Sequence, residues 1–111
     1  MAKIVNLTPH ALNFIGADDE TVLTVPSSGV ARAKQFRFDV GSIEAGGAVL
    51  PVTHTTYGEV EGLPEPEWGT IYVVSALTAQ AVPDRADVYI TDDAVRDDAG
   101  RVIGCRGLAH I

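Results

Sequence analysis

Three histidines, one cysteine, two acid-rich stretches and a few isolated arginines are the residues of this 111-residue chain whose types could do chemistry. His10, His54 and His110 show no i, i+4 helical spacing and no carboxylate beside them in a metal-ligating pattern, so they read as turn or surface histidines and no metal site is expected. The stretch "TDDAVRDDAG" supplies oxygen ligands for a hard cation but lacks the D-x-D-x-D-G spacing that would gather them around one ion. It reads instead as a solvated hairpin with Asp97 to Gly100 at its tip. Cys105 sits in the apolar run "VIGC" without a second thiol, which favours a small buried residue over a nucleophile, a metal ligand or half a disulfide. No G-x-S-x-G, P-loop or G-x-G-x-x-G is present, so no catalytic residue and no cofactor is assigned.

The arginines are more informative. A guanidinium keeps its charge, so an arginine among apolar or small neighbours must find an acid, a carbonyl or an anionic ligand. Arg85 has Asp84 and Asp87 close in sequence, and Arg96 has Asp92 and Asp98, which makes structural ion pairs the first expectation for both. Arg32, in "GVARA", has no local acid and is the strongest candidate to meet a ligand. Tyr57 and Trp68 flank the loop "YGEVEGLPEPEWG"; either could stack on a ring, although anchoring a long loop to the core is the commoner use of such an aromatic.

These residues need positioning elements, and the hydrophobic pattern supplies mostly strands. "KIVNLT", "ALNFIG" and "TVLTV" are the first three, with Thr8-Pro9-His10 as a turn and "GADDE" closing a hairpin. In "VARAKQFRFDV", alternation sets Val30, Arg32, Lys34, Phe36, Phe38 and Val40 on one face and Ala31, Ala33, Gln35, Arg37 and Asp39 on the other. "GSIEAGG" reads as a flexible tip, "AVLPVTHTT" as a strand broken by Pro51, and "TIYVV" as a buried strand. Ser75 is an N-cap for a helix of about two turns that Pro83 ends, near residues 75–82. "DVYIT" and a terminal strand or strand pair, bent at Gly104 and Gly107, complete a mostly β domain, a small barrel or sandwich of about eight short strands with one short helix.

Length and 46% hydrophobic content suit a single domain over residues 1–111. No apolar run approaches the roughly 18 residues of a membrane span, and "MAKIVNLTPH" lacks the features of a secretory signal, so a cytoplasmic protein without membrane contact is expected. The net charge of −7 is uneven: 4 basic and 5 acidic residues lie at or before Tyr57, and 4 basic and 10 acidic after it. That balance argues against a nucleic-acid polymer as partner, because such affinity comes mainly from neutralised phosphates.

The order of "NLTPH", "PSSGVAR", "YGEVEGLPEPEWGTIYVVSALT" and "GRVIGCRGL" resembles, over nearly the whole chain, a family of small bacteriophage, prophage and bacterial proteins, most without an assigned activity. No reaction is implied by the resemblance. By analogy with compact phage proteins that oligomerise and sequester nucleotide-derived immune signals, it implies a non-enzymatic homo-oligomer in the bacterial host cell that holds a cyclic ADP-ribose isomer or cyclic nucleotide and so blocks anti-phage defence. In that scheme Arg32 and Arg96 contact phosphate, Thr8, His10 and Ser75 hydrogen-bond the ligand, Tyr57 stacks, and the helix N-terminus after Ser75 adds amides. Two rival expectations stand beside it. One is a protein-interaction or virion accessory module acting through the acidic, proline-stiffened loop 57–69; the other is a nucleotide hydrolase using His10 or His54 as general base.

Overall fold

The computed structural model describes residues 2–111, and it is mostly β with one short helix, as the pattern of short β-branched runs requires. Six strands form one mixed sheet: β1 (Lys3–Asn6), β2 (Leu12–Ile15), β3 (Thr21–Val25), β6 (Thr70–Val73), β7 (Val88–Arg96) and β8 (Val102–Ala109), in the order β1-β6-β7-β8-β2-β3. The remaining two, β4 (Arg32–Ala45) and β5 (Ala48–Glu61), pair only with each other. The two outer strands of the sheet meet again where Asn6 bridges Ser27, just past β3, so the sheet curls on itself into a small barrel.

Leu7, Ala31, Tyr72, Val74, Ala79 and Val88 form the main core, with Val5, Val60, Leu63, Val82 and Ile90 packed around it. A second buried group, Phe14, Ile15 and Cys105, lies where β2 runs parallel to β8. The terminal segment is one continuous strand and is not bent at its glycines. Gly104 serves close approach instead: a Cβ there would lie 2.5 Å from the Asn13 carbonyl oxygen. Burial pushes the Cys105 thiol above its ordinary pKa, which suits the packing role expected for it.

The helix α1 (Ala76–Gln80) has Ser75 as its N-cap, and Pro83 follows it. It is shorter than the expected two turns, because Ala81 and Val82 donate to carbonyls three residues back and tighten the end.

The largest departure from expectation is the β4–β5 pair. "GSIEAGG" is not a flexible tip: the strand runs through it to Ala45, and only Gly46 and Gly47 make the turn, both at positive φ (59° and 80°) as a two-residue hairpin turn demands. Pro51 does not break β5 either. In a two-stranded ribbon both strands are edges and half of their N–H groups face away from the partner, so a proline is accommodated. Tyr57 to Glu61, expected in the loop, extend β5. The result is an arm, and the chain's radius of gyration of 17.7 Å exceeds the about 13 Å of a compact domain of this length.

Register assigns the faces of the arm, since directly opposed residues share one. Phe36 opposes Thr56, Phe38 opposes His54, Gly41 opposes Val52, Ile43 opposes Leu50 and Ala45 opposes Ala48, giving one predominantly apolar face. Gln35–Tyr57, Arg37–Thr55, Asp39–Thr53, Ser42–Pro51 and Glu44–Val49 make the other, which is mainly polar. A bulge between Asp39 and Gly41 takes up Val40, so the simple alternation expected for this stretch holds only as far as Phe38.

Candidate functional site

The segments "NLTPH", "PSSGVAR" and "SALT" converge at the root of the arm. Asn6 is fully buried and all its side-chain hydrogen-bonding capacity is engaged: Nδ2 donates to the carbonyls of His10 (2.8 Å) and Val25 (3.0 Å), and Oδ1 accepts from the Thr8 N–H (2.9 Å) and hydroxyl (2.6 Å). The Ser27 hydroxyl donates to the Thr8 carbonyl at 2.6 Å, and the Ala31 N–H to the Leu7 carbonyl at 3.0 Å. From α1, the Ser75 hydroxyl donates to Thr78 Oγ1 (3.0 Å), which in turn donates to the Ala31 carbonyl (3.1 Å). This lattice of short polar contacts fixes where β4 leaves the barrel, and so fixes Arg32.

Three surface cavities bear on the expected site residues. One, of about 360 Å³, lies at the arm root and is lined by Arg32, Ala33, Gln35, Tyr57, Ser75, Leu77 and Thr78. A second, of about 490 Å³, is lined by His10, Asn13, Asp92, Asp93 and Cys105 among others. A third, of about 270 Å³, includes Asp84, Arg85, His110 and Ile111. Of the three, the arm-root cavity alone is lined by an arginine without any carboxylate. Its volume is at the small end of the about 300–1,000 Å³ typical of ligand sites.

The structure thus brings Arg32, Tyr57 and Ser75 together and adds Gln35, Leu77 and Thr78, which sequence reasoning missed. Gln35 had a usable signal, since it opposes Tyr57 directly once β4 and β5 are paired. Leu77 and Thr78 had none, because α1 reaches the arm only through the tertiary fold. Among the described residues no ion pair or hydrogen bond engages the Arg32 side chain, whereas its neighbour Lys34 meets Glu61 at 3.2 Å. Arg32, Lys34 and Arg37 share this root with Glu59 and Glu61, and Glu61, which meets Lys34, is also the residue opposite Arg32 in the β4–β5 register.

The other expected site residues lie elsewhere. The Thr8 hydroxyl donates to Asn6 Oδ1 at 2.6 Å with the His10 carbonyl oxygen 3.0 Å away as the alternative acceptor, holding the turn. His10 is exposed at the edge of the second cavity, in company with Asp92 and Asp93. His54 stands on the arm opposite Phe38, and His110 packs its ring on Tyr89 with centroids 4.3 Å apart. Arg96, expected to pair with an aspartate, instead donates to the Gly100 carbonyl at 2.8 Å and closes the β7–β8 turn. That turn is the solvated hairpin anticipated: Asp97 Oδ1 accepts the N–H groups of Ala99 and Arg101, each at 2.9 Å. No three of the His, Cys, Asp and Glu side chains among the described residues cluster to hold a metal ion, and no helix among them is long and apolar enough to cross a membrane.

Arg85 does meet Asp87, at 2.8 Å through Nε and 2.9 Å through Nη2, and its Nη2 also donates to the Pro64 carbonyl. The hydrogen bond from Arg85 holds the Asp87 carboxyl below its ordinary value and raises that of Arg85. Together with the Tyr72 hydroxyl, which donates to the Glu65 carbonyl, it pins the loop at 62–69 to the barrel. The expectation that Trp68 anchors this loop is overturned: Trp68 is 99% exposed, and Arg85 and Tyr72 do the anchoring.

Neither the protein-family models, the curated proteins nor the solved structures compared with this chain provide a match.

Proposed function

We propose that this chain is a non-enzymatic small-molecule binding protein whose site is the arm-root cavity, and that it sequesters an anionic, nucleotide-like ligand such as a cyclic ADP-ribose isomer or a cyclic nucleotide. The observation that carries the reading is Arg32, a guanidinium without a protein partner beside a cavity free of carboxylates. In this site Arg32 meets the phosphate, Gln35 hydrogen-bonds the polar edge, Ser75, whose proton is given to Thr78, accepts from a ligand donor, and Tyr57 with Leu77 covers the ring. Thr8, His10 and Arg96 drop out of the proposed ligand set, because they hold turns or border another cavity. Sequestration needs copies in stoichiometric excess over the signal and no turnover, which fits the homo-oligomer expected in the bacterial cytoplasm.

The test is native mass spectrometry after incubation with a panel of cyclic ADP-ribose isomers and cyclic nucleotides. A stoichiometric adduct, released unchanged on denaturation and lost in Arg32→Ala, supports sequestration. Free protein across the panel, or release of a cleaved product, contradicts it.

A second reading, a protein-interaction module acting through the acidic loop, is favoured by the exposed Trp68. Beside it stand Glu65 and Glu67, on a loop already pinned at Pro64 and Glu65, so docking there costs little ordering entropy. Loss of a captured host protein on Trp68→Ala, with ligand adducts unchanged, would favour this reading over the first.

A further inference from the structure

We infer that the apolar face of the arm is covered by the same face of a second copy of this chain, the two arms lying antiparallel about a two-fold axis near Gly41 and Val52. The inference deepens the expected homo-oligomer by naming its surface, and it stands independently of the ligand reading because the cavity is lined by Gln35 and Tyr57 of the opposite, polar face.

A two-stranded ribbon on its own is marginal in water and needs a further layer against its apolar side. Here that side carries Phe36 and Phe38, 49% and 53% exposed, and Ile43 and Leu50, 55% and 46% exposed. Its two halves differ in shape. The half near the barrel sets Phe36 and Phe38 of β4 beside Thr56 and His54 of β5, the half near the tip is aliphatic, and Gly41 with Val52 separates them. Inverting a second copy over the first lays each aliphatic half on a phenylalanine-bearing half and puts the side-chain-free Gly41 at the crossing. A face complementary to its own inverse is what an isologous two-fold contact requires.

Charge selects the same arrangement. Between Phe36 and Thr56 the chain carries only Arg37, Asp39 and Glu44, a net −1, so −6 of the total −7 lies in the barrel and arm root. Parallel stacking would set two strongly acidic barrels side by side. Antiparallel stacking holds them at opposite ends of the paired arms, separated by far more than the about 8 Å screening length of physiological salt. Half-exposed phenylalanines leave on the order of 100 Å² each to cover, and with the aliphatic residues and their neighbours the pair removes on the order of 1,000 Å², the lower bound for a specific dimer. Closure by a two-fold axis also uses up the face, so the assembly stops at two.

Sedimentation equilibrium of the wild type, Phe38→Glu, Ile43→Glu and Thr53→Glu across a wide concentration range tests this. The expected result is a wild-type species of twice the 11.7 kDa chain mass, a dissociation constant weakened at least tenfold by Phe38→Glu and by Ile43→Glu, and no change from Thr53→Glu on the polar face. Ile43 lies next to the tip, far from the barrel core, so that variant reports on pairing even where Phe38→Glu perturbs the arm root. A wild type that stays at the single-chain mass, a dimer indifferent to both apolar-face variants, or a species larger than two copies would overturn the inference.

Discussion

Barrel and arm are written in the same strand alternation, yet they use it oppositely. In the barrel, β6 leaves Tyr72 2% and Val73 0% exposed, and no buried side-chain polar atom among the described residues lacks a partner. In the arm, Phe36 and Phe38 stay about half exposed on strands of 14 residues. The barrel closes a buried core around β6 while Val22, Leu23, Val102 and Ile103 on its strands β3 and β8 stay exposed; no residue of either arm strand is buried. The proposed binding site lies at their junction, where the cavity is lined by Arg32, Gln35 and Tyr57 from the arm strands and by Ser75, Leu77 and Thr78 from the barrel side.

Substitutions that break this contrast should rank by how much of the barrel's polar lattice they remove. Asn6→Ala deletes four hydrogen bonds at a fully buried position and leaves the Thr8 N–H without its acceptor, and we expect a loss of about 3–4 kcal/mol in chemical denaturation, a large share of a small domain's stability. An effect below about 1 kcal/mol would mean the turn is held by other means.

Asp87→Asn should cost less, about 1–2 kcal/mol at neutral pH, because the Arg85 pair is about one-fifth exposed. The sign with pH follows from the lowered carboxyl. Its contribution is complete above the ordinary value of 3.8 and is lost as pH falls through the lower value of the folded state, so the gap between wild type and Asp87→Asn should close on acidification. Denaturation midpoints measured from neutral pH downward check this, and a gap that widens in acid would contradict it.

At the small end, Val49→Ser changes an exposed residue on the polar arm face opposite Glu44, and a stability change within about 0.5 kcal/mol is expected. A larger loss would show that the polar face is packed as well, and would erase the asymmetry between the two sides of the arm.

How far the sequence announces this architecture also differs between the two regions. "TVLTV", "TIYVV" and the Ser75 cap are local signals and mark their elements well. The arm is hidden because Gly41, Pro51 and Gly58 each read as breakers, while a two-stranded ribbon absorbs them as bulges and edge positions. Among candidate site residues, the absence of an acid near Arg32 is visible in the chain and corresponds to an unpaired guanidinium. Arg96 misleads because counting nearby aspartates ignores a carbonyl such as that of Gly100, which turn geometry delivers more directly. His10 misleads for a related reason: in "NLTPH" it is the His10 carbonyl that the fold uses, through Asn6 and Thr8.

The central claim, that the arm-root cavity is the binding site, is tested most directly by mapping amide chemical-shift changes in the isotope-labelled protein on addition of a cyclic ADP-ribose isomer or cyclic nucleotide that forms an adduct. The account predicts saturable shifts centred on Arg32, Gln35, Tyr57 and Ser75 to Thr78, with affinity reduced by about 1.5–3 kcal/mol in a folded Arg32→Ala variant. Shifts centred instead on His10, Asp92 and Cys105, or an affinity untouched by Arg32→Ala, would contradict it.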